Sequence, residues 1–179
     1  KLAAIRRLGS EIVQVSFDEW WEVFRTRAYD GLDGRFVHAF SDEAVMAGNG
    51  TIGLEVVDDL PGVDAIVIPY GGGGLTCGIA SALRTLAPEC KVFAAEVATG
   101  APLAPSLAAG TPVRVDYEPS FVDGIGSPEV FPEMFELTRQ LVDGSLVVDL
   151  DEVAHAVRPL AERARVVAEA ARAAPLAAP

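Results

Sequence analysis

The sequence predicts an α/β fold: an open, mostly parallel sheet with helices on both faces. Three observations lead there. Strand and helix patterns alternate along the chain instead of clustering. Residues 64–70 and 90–96 are apolar runs bounded by turn residues, the pattern of strands covered on both faces. Half of the 179 residues are hydrophobic and 22% are charged, enough for the core of one ordinary domain.

The elements follow in order. Residues 1–8 repeat apolar positions at helical spacing, with Gly9 placed as a stop. Residues 11–15 read as a strand. Residues 17–29 read as a helix, with Phe17, Trp20, Trp21 and Phe24 on one stripe that suits a core. Residues 31–34 form a turn and 35–38 a short strand. A helix over 44–60 precedes the buried strand at 64–70. Gly71, Gly72, Gly73 and Gly74 follow, then a helix over 75–86 and the second buried strand. The proline- and glycine-rich stretch 98–126 holds only a short helix, 103–109. Residues 128–142 are helical, 145–148 a strand, and 151–169 a long helix with Asp151 and Glu152 in its first turn. The tail, 170–179, shows no closing element, and the first helix has no preceding cap. These ends give the expectation that the chain is a piece of a larger polypeptide. Residues 1–38 are expected to belong to a small βα lobe and 39–179 to the main domain.

Charge excludes some partners. A net charge of −12 disfavours nucleic acid and anionic membranes. No apolar run reaches transmembrane length. Cys77 and Cys90 lack metal-ligand spacing and fit a reducing cytoplasm, the expected location. Lys1 and Lys91 are the only lysines.

The strongest local signal is a buried strand that runs into four glycines and then at once into a helix. Amides unobstructed by side chains can converge on one point, and the helix N-terminus adds partial positive charge. The arrangement suits a phosphate. Gly71 and Gly73 match the first two glycines of a dinucleotide fingerprint, and Glu96 ends the next strand where a ribose-binding acid would stand, but the third position is Thr76. No Gly-Lys-Ser/Thr follows, which excludes a nucleoside-triphosphate loop. A single small phosphate fits better. Cys77 lies in the first helical turn, where the helix dipole would lower its pKa, yet its flanks do not form a nucleophile elbow. Packing as a small apolar residue is the preferred reading. Asp42–Glu43, Asp58–Asp59 and Asp151–Glu152 read as caps and solvated helix ends.

Several stretches, in this order, resemble the pyridoxal-phosphate enzymes of the tryptophan-synthase-β-like fold, or fold type II, and within them the threonine/serine dehydratases and serine racemases. They are residues 1–12, His38-Ala39-Phe40-Ser41-Asp42, Ala47-Gly48-Asn49-Gly50-Thr51-Ile52, the tetraglycine with Leu75, Ala95-Glu96, Val122-Asp123-Gly124-Ile125-Gly126 and the segment at Glu169. The resemblance spans essentially the whole chain and implies an incomplete fold of that type. It implies β-elimination from threonine or serine to a 2-oxo acid and ammonia, with a lysine moving the α-proton. It assigns phosphate binding to Gly71, Gly72, Gly73, Gly74 and Leu75. Gly124 and Glu169 are placed beside the cofactor, and Glu96 at a position that holds a cation in some relatives. An amino-acid substrate and a homodimer are implied too.

The departures are specific. No segment here resembles the family's lysine segment, so no catalytic residue is assigned within the chain. The acidic residue expected six positions after Glu96 is Pro102. The family's Glu-Gly-Ala-Gly reads Glu169-Ala170-Ala171-Arg172. A serine racemase-like enzyme, another fold type II enzyme, and a binding module that kept the fold are the alternatives.

Overall fold

The structure, a computed structural model, describes residues 2–179. The chain divides into two compact units, Lys1–His38 and Ala39–Pro179.

The first unit holds α1 (Leu2–Arg7) and α2 (Phe17–Thr26). Ser16 caps α2 by accepting the Glu19 amide at 3.3 Å. The helix ends at Arg27, whose φ of 56° is left-handed, three residues short of the sequence expectation. The aromatic stripe packs through Trp20 on Phe24 at 4.6 Å between ring centroids and Phe24 on His38 at 4.8 Å. Trp21 is buried, but Trp20 stays 41% exposed, so only half of the Trp pair is core. The expected strands at 11–15 and 35–38 are not formed. Both segments carry no ladder, because among the described residues no neighbouring strand supplies hydrogen bonds. The apolar side of the first overlooks a cavity of about 450 Å³ lined by Val13, Val15, Trp20, Val23, Tyr29 and Phe36 among others.

The second unit contains α3 (Glu43–Asp59), β1 (Ala65–Pro69), α4 (Gly74–Leu86), β2 (Lys91–Val97), α5 (Leu103–Ala109), α6 (Pro132–Leu141), β3 (Gly144–Val148), α7 (Leu150–Glu162) and α8 (Ala170–Ala177). The three strands form a parallel sheet in the order β1-β2-β3, with Ala65 opposite Lys91 and Phe93 opposite Gly144. The period-two alternation of strands sorts the core. Ile68 and Val92 join Ile79, Ala80 and Leu83 of α4 on one face. Ala95, Val97 and Val148 join Val153 and Ala156 of α7 and Ala171, Ala173 and Ala174 of α8 on the other.

Local chemistry sets the helix ends. Asp42 caps α3 through the Ala44 and Val45 amides at 2.9 and 3.2 Å. Asp149 and Glu152 form a reciprocal capping box on α7, at 2.7 and 2.8 Å. The long helix expected over 151–169 is two helices. Pro159 lies in α7, and its missing N–H and ring weaken continuation; the chain then breaks, with Arg165 at φ 60°. The tail does form an element, α8, because its small alanines pack flat on the sheet. Helix α6 starts at Pro132, four residues later than expected, with proline at its first position.

Asp143 ties the N-terminal end of the sheet. Its carboxylate accepts the Val92 amide at 2.9 Å, Arg84 at 2.7 Å and Lys91 at 2.9 Å. The Val92 N–H, followed by Lys91 and Arg84, holds the carboxyl well below the usual carboxylate range. A depressed folded-state pKa contributes stability that is present above the unfolded value of about 4 and is lost as pH falls below it. Asp143→Asn is expected to cost about 2 kcal/mol at pH 7. It should also flatten the acid limb of a stability–pH curve measured by urea denaturation. An unchanged acid limb would contradict this.

Candidate functional site

The glycine segment leaves the C-terminal end of β1 and enters α4 after a connection of only residues 70–73. Tyr70 completes the sheet, its amide donating to Ala95 O at 2.8 Å. Gly73 has φ 91° and ψ −12°, a left-handed conformation that favours glycine. The first helical hydrogen bond runs from Cys77 N to Gly73 O at 2.8 Å. Among the described residues, the amides of Gly71, Gly72, Gly73, Gly74 and Leu75 take no protein acceptor. Gly73 and Gly74 are buried and Gly71, Gly72 and Leu75 half-buried. Five such donors lie beside the N-terminal end of α4, where the helix dipole is positive.

The glycines are required by their surroundings. A β-carbon on Gly72 would enter the Phe40 ring, and one on Gly74 would stand 2.6 Å from the Phe40 backbone. Phe40 is in turn braced edge-on by Phe131, with centroids 5.3 Å apart. On Gly73 the added carbon would lie 2.9 Å from the Tyr70 hydroxyl. Side chains cannot be accommodated here without displacing the wall of the cradle.

Two further sequence candidates stand beside the loop. A β-carbon on Gly71 would lie 3.4 Å from Ile125 Cα and 3.7 Å from Gly124 O. One on Gly124 would lie 3.0 Å from a Glu169 carboxylate oxygen and 2.9 Å from the Ala171 methyl. Gly71, Gly124 and Glu169 are therefore neighbours, although 98 residues separate the first from the last in the chain. Glu169 is the exposed N-cap of α8 and accepts the Ala171 amide at 3.0 Å. The Ala171 methyl fills the space against Gly124, while Arg172 points outward.

Glu96 does different work. It is buried, and its oxygens accept the amides of Leu103 and Ala104 at 2.8 Å each and the Ser145 hydroxyl at 2.7 Å. Burial raises its pKa, with those three hydrogen bonds opposing. Committed to α5 and β3, it offers no carboxylate to a ribose. Among the described residues no group of three or more His, Cys, Asp or Glu side chains could hold a metal ion. The expected dipole effect at Cys77 is overturned: burial pushes its thiol up, and its Sγ lies 3.2 Å from Thr138 Oγ1.

Lys91 pairs with Asp143 at the start of β2, at the opposite end of the sheet from the glycines. Four strand steps, roughly 13 Å, separate its level from Pro69. Lys1 lies outside the described residues. Incubation with pyridoxal phosphate, borohydride reduction and peptide mapping of the 179-residue chain should therefore give no stoichiometric adduct on Lys91; such an adduct would contradict this placement.

Sequence reasoning missed Phe40, Tyr70 and Thr138 as parts of the site. The signal was present for two of them. Tyr70 puts a hydroxyl at the end of an apolar strand, and Thr138 is the one polar residue among the buried positions of α6, which are otherwise Met134 and Phe135.

A parallel α/β sheet with a glycine segment at the C-terminal end of a strand, running straight into a helix N-terminus, is an arrangement that recurs in small-ligand-binding α/β proteins. The chain belongs to the pyridoxal-phosphate dependent enzyme family, whose model matches residues 1–179. It is 38% identical over 180 residues to an L-threonine ammonia-lyase of Thermotoga maritima, covering 99% of this chain and 45% of that protein. It is 39% identical to the corresponding protein of Geobacter sulfurreducens, covering 99% and 44%. The chain thus spans less than half the length of these relatives. Among solved structures it is similar to maize serine racemase (TM-score 0.88, 26% identity, 98% of this chain and 55% of that one). It is also similar to the processed form of threonine deaminase isoform 2 from Solanum lycopersicum (TM-score 0.85, 31% identity, 98% and 52%). The sheet and its helices are those of fold type II enzymes. Among the described residues no helix is long and apolar enough to cross a membrane.

Proposed function

We propose that these residues form the phosphate-holding part of a pyridoxal-phosphate-dependent ammonia-lyase that converts threonine, or serine, to a 2-oxo acid and ammonia. One observation carries the reading. Five consecutive amides without protein acceptors lie at the head of α4, with Gly124 and Glu169 beside Gly71. The residues present fit the cofactor's phosphate ester. Gly71, Gly72, Gly73, Gly74 and Leu75 donate to it, and α4 supplies the favourable dipole. Gly124 and Glu169, which pack against each other beside Gly71, border the cofactor in this reading. When bound, pyridoxal phosphate supplies the electron sink that permits loss of the α-proton and then of the β-hydroxyl. Residues 39–179 make up most of the cofactor domain in this reading and residues 1–38 part of the small lobe. The enzyme works in the cytoplasm as a homodimer, on a small amino acid.

The identity to threonine ammonia-lyases supports lyase over racemase. The commitment of Glu96 to α5 supports the same choice, since it withdraws the carboxylate that a cation site would need. The test is to express the protein from its complete coding sequence and supply threonine and L-serine separately. The expected result is a cofactor absorbance band with 2-oxobutanoate and ammonia from threonine. Conversion of L-serine to D-serine without ammonia would overturn the lyase reading, and failure to bind the cofactor would overturn both.

A further inference from the structure

The glycine loop has a buried polar support behind it that the reaction does not use. Tyr70 is 1% exposed, and its hydroxyl stands 3.2 Å from Thr138 Oγ1. Thr138, fully buried on α6, is also 3.2 Å from Cys77 Sγ. The Cys77 amide returns to the loop through Gly73 O at 2.8 Å. The Tyr70 hydroxyl abuts the position where Gly73 would carry a β-carbon, at 2.9 Å. The Gly73 carbonyl thus accepts from the Cys77 amide, the Tyr70 hydroxyl occupies the space a side chain on Gly73 would take, and Thr138 joins the side chains of Tyr70 and Cys77.

The three side chains are matched. Each carries one hydrogen and can accept, so one hydroxyl proton runs from Tyr70 to Thr138 and the next from Thr138 to Cys77, or the chain runs in reverse. Burial keeps the Tyr70 phenol and the Cys77 thiol protonated. In a dry interior such a chain is costly to leave half-satisfied, which gives it one preferred geometry.

We propose that Tyr70, Thr138 and Cys77 form a strut behind the loop that holds Gly73 in its left-handed conformation and thereby sets the loop's affinity for phosphate. The three are positioning residues, whose polar side-chain atoms are bonded to one another. The strut also links the loop to α6, so a shift of that helix changes phosphate affinity. The affinity half of the proposal rests on the cofactor reading above; the conformational half does not.

The test uses amide hydrogen exchange on the 179-residue chain in phosphate-free buffer, followed by titration with inorganic phosphate. Tyr70→Phe and Thr138→Val are compared with wild type and with Thr138→Ser, which keeps the hydroxyl. Exchange at the Cys77 amide should accelerate about tenfold in the first two, the loss of one buried hydrogen bond. The amides of Ala87, at the far end of α4, and of Val92, on β2, should not change. Phosphate should bind about fivefold more weakly to both variants, and Thr138→Ser should stay within about twofold of wild type. A residue that merely adds stability would speed exchange at Cys77, Ala87 and Val92 alike and leave phosphate affinity unchanged; that pattern overturns the proposal. Acceleration confined to Cys77 in a chain that shows no response to phosphate would uphold the strut and overturn the cofactor reading instead.

Discussion

Gly73→Ala is expected to weaken pyridoxal phosphate binding about thirtyfold while leaving the chain folded. Two costs meet at this position. A side chain at φ 91° stands in the left-handed region, at about 1–2 kcal/mol. Its methyl would also press on the Tyr70 hydroxyl and ring at 2.9–3.2 Å, where overpacking adds about 1–3 kcal/mol. Tyr70 is buried on every side and cannot give way. The loop relieves both costs by rotating, which turns its amides away from a common point. About 2 kcal/mol of lost convergence corresponds to the thirtyfold effect. Equilibrium dialysis against the cofactor measures it. Gly110→Ala, at the C-cap of α5, is the control: it has φ 72° but no atom within 4 Å of the new carbon, so it carries the conformational cost alone. If Gly73→Ala and Gly110→Ala bind alike, the loop's shape does not govern binding.

The largest stability loss is expected at Gly78, where α4 meets α3 backbone to backbone. A β-carbon there would collide with the Met46 carbonyl oxygen and lie 2.9 Å from Asn49 Cβ and 3.1 Å from Gly50 N. The approach is reciprocal: a β-carbon on Gly50 would lie 3.1 Å from Gly78 O, and one on Gly53 3.0 Å from Ile79 O. The contacts are main chain, so no rotamer change relieves them. Gly78→Ala should cost about 3 kcal/mol despite the gain of about 1 kcal/mol in helix propensity. Gly48→Ala, on α3 with open space around it, should instead stabilise by up to about 1 kcal/mol. Urea denaturation followed by far-UV circular dichroism measures both, since both Trp residues lie in the first unit and fluorescence would report on that unit. A loss below about 1 kcal/mol at Gly78 would show that the helices can part cheaply.

Much of the second unit was legible in the sequence. Its sheet strands are continuous apolar runs, and its glycine loop follows one of them directly, so pattern and position agree. The misses have physical causes. Residues 11–15 and 35–38 have strand composition but no partner among the described residues, and composition cannot supply a ladder. The tail lacked helix signals because α8 is made of alanines, whose contribution comes from lying close to β1 and β2 and not from an amphipathic stripe. The left-handed residues Arg27 and Arg165, which end or break helices, carry no glycine to announce them. At the glycine segment, Gly72, Gly73 and Gly74 stand where an added β-carbon would crowd Phe40 or Tyr70, which is the steric reason for the glycine run the sequence displays. Phe40, Tyr70 and Thr138 were hidden because their roles depend on which surfaces meet in three dimensions. Cys77 was misjudged electrostatically: its place in the first turn of α4 was visible, and the burial that outweighs the dipole was not.

The most direct test of the phosphate cradle is residue-resolved. Amide resonances of the isotope-labelled chain are followed during titration with pyridoxal phosphate, with inorganic phosphate, and with pyridoxal, which lacks the ester. The account predicts that Gly71, Gly72, Gly73, Gly74 and Leu75 shift together with the first two ligands and stay still with the third. Equal shifts with pyridoxal, or shifts confined to the first unit with these five unmoved, would contradict it.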